Sequence, residues 1–222
     1  MEINPERTQI NDLMVKIHEP AKEIKRVGLL IHGFTGDESS MWVFTNQLSD
    51  DWLLIAPRAP YPSKDVGLGG YSWVDQSIKS WPVYQDFLPA VSILDNLVEE
   101  LDGRYPETDF SKISLVGFSQ GAAMSFVYTN AHSGRVERLG MLSGFLPDSS
   151  EGFISEEAWK KLKVFIGHGE KDDIVPVEMA YTAYQTLVEN GVDAEMCHLC
   201  LTDVGHRLGS ACFSAFSKFM EA

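Results

Sequence analysis

The chain has 222 residues, of which 44% are hydrophobic and 23% are charged, and this composition favours a single soluble domain over residues 1–222. Its 18 basic and 32 acidic side chains give a formal net charge of −14. We therefore expect no nucleic-acid partner and no stable membrane association, because anionic surfaces attract proteins mainly through Lys and Arg.

The first residues and the cysteines bear on cellular location. Residues 1–7 lack the basic start and apolar run of a secretory peptide, and the apolar run at residues 27–31 is far below the ~20 residues that span a bilayer. Three cysteines are few and odd in number, which argues against a disulfide framework and fits a reducing compartment. The sequence therefore predicts a cytoplasmic protein.

Apolar runs and helical spacing alternate along the chain and show no repeat or linker. In chain order they predict an antiparallel edge strand at 9–16, a strand at 26–32, a helix at 37–48, a strand at 52–56, a helix at 88–101, a strand at 112–117, a helix at 120–131, strands at 139–143 and 163–167, a helix at 176–189, a strand at 194–201 and a helix at 210–220. This alternation predicts an α/β protein with a mostly parallel central sheet and helices on both faces.

The segment at residues 57–87 is long for a connection and rich in aromatic residues, among them Tyr71 and Trp73. Long loops inside compact domains are usually functional or mobile. Sites in parallel sheets gather at the carboxyl ends of the strands, and this segment follows such an end. We therefore expect it to wall a pocket.

The strongest chemical signal is the pentapeptide GFSQG at residues 117–121, which fits G-x-S-x-G between a predicted strand and a predicted helix. A strand that turns sharply into a helix needs small residues two positions on either side of the serine. The turn leaves the Ser119 hydroxyl at a helix N-terminus, where backbone N–H groups favour developing negative charge. Ser119 is the candidate nucleophile, and an N-cap serine is the alternative.

A serine hydroxyl needs a base, and the chain order for this architecture is Ser, then an acid, then His. His206 lies in a loop between the last strand and the last helix, where it can reach across the edge of the sheet. His198 lies within a strand, and His168 comes too early to follow the acid. We expect His206 to be the base; a solvent-facing loop histidine is the alternative.

The acid should lie in the loop after the strand at 163–167, where Glu170, Asp172 and Asp173 compete and spacing alone does not choose. Its task is to accept the imidazole N–H and to stabilise the cation formed when the ring takes the serine proton. An oxyanion hole needs two backbone N–H donors. We expect these from Gln120, directly after the nucleophile, and from Phe34, after the first central strand.

The C-x-x-C pair of Cys197 and Cys200, together with His198, His206 and Cys212, has the composition of a metal cluster. Side chains alternate faces along a strand, however, so Cys197 and Cys200 point in opposite directions and cannot close one zinc site. Redox C-x-x-C pairs normally open a helix instead. We expect buried structural cysteines, with metal or redox use as the alternative, and no metal or cofactor.

Several segments together resemble one known family. They are LLIHGFTGDE (29–38), IAPRAPYP (55–62), YSWVDQ (71–76), LVGFSQGAAMS (115–125), MLSGFLP (141–147), HGEKDDIVP (168–176) and GH (205–206). In this order they resemble the phospholipase/carboxylesterase family of the α/β-hydrolase fold, which includes acyl-protein thioesterases and small bacterial carboxylesterases. The resemblance implies an α/β-hydrolase fold without a large cap domain.

The resemblance also implies residue roles. Ser119 is the nucleophile and His206 the base, and the pattern HGxxDxxVP makes Asp172 the acid. The N–H groups of Phe34 and Gln120 match the oxyanion positions. Trp73, Tyr71 and Phe145 come from matching segments and are expected to line the substrate pocket. Arg207 departs from the family, which often has serine there, and this puts substrate preference in doubt more than chemistry.

The sequence thus predicts a serine hydrolase that cleaves carboxylic esters of short to medium acyl chain through an acyl-enzyme. A thioesterase or a lysophospholipase with the same triad is the alternative, and a non-catalytic binding protein on the same fold is more remote. The expected partner is a small-molecule ester, and the chain is expected to be a monomer or a homodimer.

Overall fold

The computed structural model describes residues 3–65, 67–75, 81–132, 134–150 and 159–222. Its centre is an eight-stranded sheet, with a separate two-stranded hairpin. In chain order the strands are β1 (Glu6–Ile10), β2 (Leu13–His18), β3 (Arg26–Ile31), β4 (Trp52–Pro57), β5 (Tyr61–Pro62), β6 (Tyr71–Ser72), β7 (Ile113–Phe118), β8 (Val136–Leu142), β9 (Lys163–Gly169) and β10 (Cys197–Thr202).

The large sheet has the order β1-β2-β4-β3-β7-β8-β9-β10. Six neighbouring strands are mutually parallel, namely β4, β3, β7, β8, β9 and β10. Strand β2 is antiparallel to both of its neighbours. The central strands β3, β4 and β7 are almost wholly buried, as expected for continuous apolar runs covered on both faces. The predicted mostly parallel sheet is confirmed.

Helices cover both faces of this sheet. They are α1 (Tyr84–Arg104), α2 (Gln120–Ala131), α3 (Glu178–Glu189) and α4 (Ser210–Glu221). The apolar sides of α1, α2 and α3 share one core with Leu53 and Ile55 of β4. The apolar side of α4 and a short 3-10 turn at Trp42–Thr45 share a second core with Trp52 and Leu54. Alternate residues of one strand therefore feed two cores, one on each face.

The predicted helix at 37–48 is wrong, because only the 3-10 turn forms there. The Asp37 carboxylate accepts hydrogen bonds from the Ser39 N–H at 2.8 Å and from the Ser40 hydroxyl at 3.1 Å. Short polar side chains that bond nearby backbone in this way compete with the helical hydrogen-bond ladder. The segment is therefore a series of turns in front of the sheet's carboxyl edge.

The predicted edge strand at 9–16 is a hairpin of two strands, β1 and β2. Its turn is made by Asn11, whose φ of 51° lies in the left-handed region, and by Asp12. Asparagine tolerates this conformation better than most residues. The chain therefore reverses in the middle of the predicted strand, and β2 pairs antiparallel with β4.

Two of the three cysteines form a disulfide, although the sequence analysis argued against a disulfide framework and expected buried structural cysteines. Cys200 on β10 is joined to Cys212 on α4, with their Cα atoms 5.6 Å apart. Cys197 is a buried free thiol in the opposite core, as the alternation of strand faces predicts. Pairing arises because α4 packs back onto the face of β10 that carries Cys200, a tertiary contact that the spacing of the cysteines does not reveal.

Candidate active site

Ser119 lies in the sharp turn between β7 and α2. Its backbone has φ 54° and ψ −119°, a conformation that residues with a Cβ rarely adopt. The Ser119 N–H donates to the carbonyl oxygen of Leu142 at 2.9 Å, and its own carbonyl accepts from Ala122 at 3.0 Å. Such strain persists only where the surroundings determine the backbone, and it occurs most often at functional sites.

The two glycines of the pentapeptide explain how this turn fits. A Cβ at Gly117 would collide with the carbonyl oxygen of Gly121, and a Cβ at Gly121 would collide with the carbonyl oxygens of Ile31 and His32. The first turn of α2 therefore packs directly against the ends of β3 and β7. This close approach of backbone to backbone is the physical reason for small residues on both sides of Ser119.

His206 and Asp172 come together from two loops at the carboxyl edge of the sheet. The Nδ1 atom of His206 lies 2.7 Å from Oδ2 of Asp172, whose side chain is fully buried. The other carboxylate oxygen accepts hydrogen bonds from the N–H groups of Ile174 at 3.0 Å and Val175 at 2.9 Å. Burial alone would raise the pKa of the Asp172 carboxyl, but these three donors outweigh it and hold the pKa below its ordinary value.

The two loops are locked together through backbone. The Lys171 N–H donates to the Val204 carbonyl at 2.9 Å. Gly169 packs against the same stretch, where a Cβ would collide with the carbonyl oxygens of Val204 and Gly205. The loop that carries the Asp172 carboxylate therefore fixes the position of the loop that carries His206.

The competing acids and histidines of the sequence analysis do not contact His206, although His168 lies behind the carboxylate, with Nε2 3.4 Å from Oδ2 of Asp172. Glu170 and Asp173 are exposed, and neither contacts His206 among the described interactions. His198 is exposed on the edge strand, with its ring 6.1 Å from that of Phe219. His168 is fully buried and lies 2.8 Å from the carbonyl of Val175 through Nε2, and burial lowers its pKa. Of these groups, the structure places only Asp172 against His206.

Ser119 and His206 line one open cavity of about 610 Å³. Beside Ser119 the backbone of Gly33 approaches so closely that a Cβ there would be 3.3 Å from the serine Cβ. Apart from His206, the described residues that line the cavity carry no ionisable group. They are Gly33, Phe34, Thr35, Gly36, Ser40, Met41, Val43, Phe44, Leu68, Phe118, Ser119 and Ile174.

Phe34 follows Gly33, which packs against Ser119, and Gln120 follows Ser119 in the chain. Neither of their backbone N–H groups donates a hydrogen bond to any group in the described part of the chain. Gln120 is held by its side chain, whose Oε1 accepts from the Trp73 N–H at 2.9 Å. An oxyanion hole requires backbone donors that are not already engaged, and within the described part of the chain both N–H groups meet this condition.

His32 supports the segment that carries Phe34. Its Nδ1 lies 2.7 Å from the carbonyl oxygen of Gly33, and its Nε2 accepts from the Ala59 N–H at 2.9 Å, which places the proton on Nδ1. The indole N–H of Trp73 donates to the His32 carbonyl at 2.7 Å. Burial lowers the pKa of His32 to about 4, so the ring is neutral near pH 7.

The three predicted pocket residues do not line this cavity. Trp73 is fully buried behind His32, where its indole bonds the backbone. The ring of Tyr71 stacks under the Arg58 guanidinium, 4.4 Å away. Phe145 is buried and meets Trp81 edge-on. Trp73 and Phe145 are buried and the Tyr71 ring lies against Arg58, so the cavity wall is made by the turns after β3 together with Leu68, Phe118, Ile174 and His206.

Two residues near the site escaped the sequence analysis. Glu38 is a carboxylate with a side chain only 1% exposed, and Arg58 binds it with Nε 2.7 Å from Oε2 and Nη2 2.9 Å from Oε1. Both lie in segments that the sequence analysis had matched to the family, but single-sequence patterns do not show that a charged side chain is buried.

The described residues contain no group of three or more His, Cys, Asp or Glu side chains arranged to hold a metal ion. In the same part of the chain, the helices are too short or too polar to cross a membrane.

Comparison with known proteins identifies one matching family and two related thioesterases. The family model described as Phospholipase/Carboxylesterase matches residues 13–222. Acyl-protein thioesterase 1 of Debaryomyces hansenii is 31% identical over 179 residues, covering 72% of this chain and 75% of the relative. Acyl-protein thioesterase 1 of Kluyveromyces lactis is 28% identical over 182 residues, covering 74% and 77%.

A solved structure supports the fold. The carboxylesterase from Mesorhizobium loti superposes with a TM-score of 0.80 at 16% identity, covering 97% of this chain and 99% of that chain. Together with the family match, this likeness confirms the predicted α/β-hydrolase fold, and no large cap is evident in the described residues.

Proposed function

Since the chain belongs to the phospholipase/carboxylesterase family and is a hydrolase of the esterase type, we propose that it cleaves carboxylic esters with Ser119 as nucleophile, His206 as base and Asp172 as acid. The observation that carries this assignment is the 2.7 Å contact between His206 and Asp172 at a cavity that also holds Ser119. The proposed activity needs no metal or cofactor.

The contact between His206 and Asp172 supports a path for each proton. Because Nδ1 of His206 faces Asp172, Nε2 is the nitrogen left to take the proton of the Ser119 hydroxyl. The serine oxygen then attacks the ester carbonyl, and the resulting oxyanion accepts hydrogen bonds from the N–H groups of Phe34 and Gln120. His206 returns the proton to the leaving alcohol, and a water activated by the same ring releases the acid from the acyl-enzyme.

The cavity supports an uncharged acyl group of short to medium length. Three apolar side chains of its wall are unusually exposed for their type: Val43 at 54%, Leu68 at 71% and Ile174 at 59%. An acyl chain lying against them would remove apolar surface from water, which stabilises binding by about 0.8 kcal/mol per buried methylene.

Thioester cleavage is the second candidate, because the same triad cleaves thioesters and two relatives are named acyl-protein thioesterase 1. A lysophospholipase is a third, and it would have to admit a long acyl chain. Paired oxygen and sulfur esters of one acyl group separate the first two, and rate against chain length separates the third.

The physiological setting is part of the proposal. We place the protein in the cytoplasm as a monomer or homodimer acting on a small-molecule ester. A reducing cytoplasm would keep Cys200 and Cys212 as thiols, whereas an oxidising compartment would keep the disulfide. Alkylation of the protein inside its own cells, followed by mass analysis, tests the location.

The direct test is labelling by a fluorophosphonate together with hydrolysis of p-nitrophenyl butyrate. The wild type should be labelled at Ser119, and Ser119→Ala should lose both labelling and turnover. An alanine variant that keeps most of its rate would refute the assignment. Absence of labelling in a folded wild type would instead favour a non-catalytic binding protein.

A further inference from the structure

The segment at residues 33–38, which supplies the Phe34 N–H, is held by Arg58 at its carboxyl end and at its middle, and the half-exposed Arg7 also reaches Glu38, with Nη2 2.7 Å from Oε1. At its carboxyl end, Arg58 makes two parallel hydrogen bonds to the buried Glu38 carboxylate, at 2.7 Å and 2.9 Å. A fork of this kind fixes angle as well as distance. Burial would raise the pKa of the Glu38 carboxyl, but the Arg58 hydrogen bonds, a backbone hydrogen bond and the charges of Arg58 and Arg7 together outweigh it and hold the pKa below its ordinary value.

Arg58 also holds the middle of the segment, through Tyr71. Its Nη1 donates to the Tyr71 hydroxyl at 2.9 Å, and its guanidinium lies 4.4 Å from the centre of the same ring. The Tyr71 backbone in turn brackets the residues next to Phe34. Its carbonyl accepts from the Thr35 N–H at 2.9 Å, and its N–H donates to the Gly36 carbonyl at 3.0 Å.

The backbone that needs holding is strained. Thr35 has φ 65°, in the left-handed region, although it is β-branched. Such a residue relaxes unless its neighbours prevent it, and relaxation would displace the adjacent backbone of Phe34. Arg58 is itself anchored, because it follows β4 directly and its N–H donates to the Met14 carbonyl at 2.8 Å.

We propose that Glu38 and Arg58 are positioning residues that hold the Phe34 N–H in place beside the Ser119 hydroxyl. This inference rests on the proposed function, since it assigns a task within that oxyanion hole. The pair touches no substrate. It acts through the backbone of residues 33–36, and its removal therefore weakens binding of the oxyanion more than binding of the ester.

The test compares Glu38→Gln, Arg58→Met and Arg58→Lys with the wild type. A displacement of an oxyanion donor predicts that kcat falls about 10- to 100-fold while KM changes less than about 3-fold. Affinity for a trifluoromethyl ketone, whose adduct carries the oxyanion, should fall in proportion to kcat/KM. Arg58→Lys keeps the charge but loses the fork, and it should recover only a minor part of the rate.

The matched control is Glu221→Gln at the opposite edge of the sheet. Glu221 is also a partly buried carboxylate, and it accepts from Arg26 at 2.7 Å, from Trp52 at 3.0 Å and from Ser49. It should lose stability as Glu38→Gln does, with kcat unchanged. Where Glu38→Gln does not fold, Tyr71→Phe removes only the hydroxyl that Arg58 holds and should lower kcat about 3-fold or more.

Fluorophosphonate titration of active sites separates the outcomes. If the variants lose activity only in proportion to titratable sites, with kcat per site and ketone affinity unchanged, the pair is merely structural and the positioning role is wrong. That result leaves the triad assignment standing. If Ser119 in the wild type is never labelled and Ser119→Ala stays active, the proposed function fails and the positioning role falls with it.

Discussion

The disulfide between Cys200 and Cys212 closes a short stretch of chain that carries His206. It joins the last strand to the last helix with a sequence separation of 12 residues. Closing a loop of this length restricts the unfolded chain and should contribute about 3 kcal/mol to stability. The covalent link also anchors both ends of the loop that brings His206 to Asp172.

We expect a Cys200→Ser/Cys212→Ser double variant to lose about 3 kcal/mol in its free energy of unfolding, measured by urea denaturation. A dithiol reductant should destabilise the wild type by a similar amount and leave the double variant unchanged. Cys197 provides the control, because it is a free buried thiol in the other core. Three alkylatable thiols in unreduced, unfolded protein would contradict the disulfide.

Asp172→Asn should reduce kcat by about four orders of magnitude, because an amide cannot hold the His206 ring in the productive tautomer or stabilise its cation. The fold should persist, since the asparagine oxygen can still accept from the N–H groups of Ile174 and Val175. Asp173→Asn is the matched control: this neighbour is exposed and should keep kcat within about 2-fold. Equal losses in both variants would be evidence against the assignment of the acid.

Gly121→Ala should destabilise the protein by about 2 kcal/mol or more and abolish labelling of Ser119. The added Cβ meets the carbonyl oxygens of Ile31 and His32, and backbone on both sides cannot move independently. Gly103→Ala is the control, because nothing lies within 4 Å of a Cβ there and the site is within α1. It should gain about 0.5–1 kcal/mol. Thermal and urea unfolding of both variants give the comparison.

Leu68→Ser should shift ester preference towards short chains. Leu68 is 71% exposed on the cavity wall, so an acyl chain that reaches it gains apolar contact. We expect kcat/KM for p-nitrophenyl octanoate to fall about 5-fold, with little change for the acetate ester. Leu88→Ser, at a 38% exposed position on α1 outside the cavity wall, should change neither. A uniform loss across chain lengths would place the acyl chain elsewhere.

Acid should destabilise the protein before its carboxylates titrate. The native state keeps His32 neutral to about pH 4, whereas an unfolded chain binds that proton near pH 6.5. Stability is therefore lost as pH falls from about 6.5 to about 4, and His32 alone accounts for about 3 kcal/mol of the loss. The pKa of buried His168 is also lowered, so its contribution has the same sign.

The check is the free energy of unfolding of the wild type and His32→Gln between about pH 7 and about pH 4.5. The variant should be less stable at neutral pH, because it loses the contacts to Gly33 and Ala59. Its stability should also depend less steeply on pH across this window. Parallel curves for the two proteins would exclude His32 as a source of the acid sensitivity.

Local patterns predicted much of the fold. The apolar runs at 26–32, 52–56 and 163–167 became buried strands, since a strand covered on both faces requires uninterrupted apolar side chains. The helix at 37–48 was wrong, because the Asp37 carboxylate bonds nearby Ser39 and Ser40 instead. Competition between a side chain and the helical ladder depends on geometry that residue spacing does not contain.

The predicted site divides in the same way. The turn around Ser119 is local, and the two glycines on either side of the serine predicted it. The catalytic roles of Ser119, His206 and Asp172 remain predictions. Spacing alone left Glu170, Asp172 and Asp173 as equal candidates, and only the family pattern pointed to Asp172. The placement of Trp73, Tyr71 and Phe145 away from the cavity wall was not predictable, because the surroundings of an aromatic ring depend on which elements pack against it.

The sequence by itself determined the strands, the sharp turn at Ser119 and the opposite faces of Cys197 and Cys200, because each depends on contacts between near neighbours in the chain. Only the tertiary structure decided the strand order, the pairing of Cys200 with Cys212, the meeting of His206 with Asp172 and the burial of Glu38 against Arg58. These are contacts between segments brought together by packing of the two cores, and their partners are chosen by the path of the folded chain.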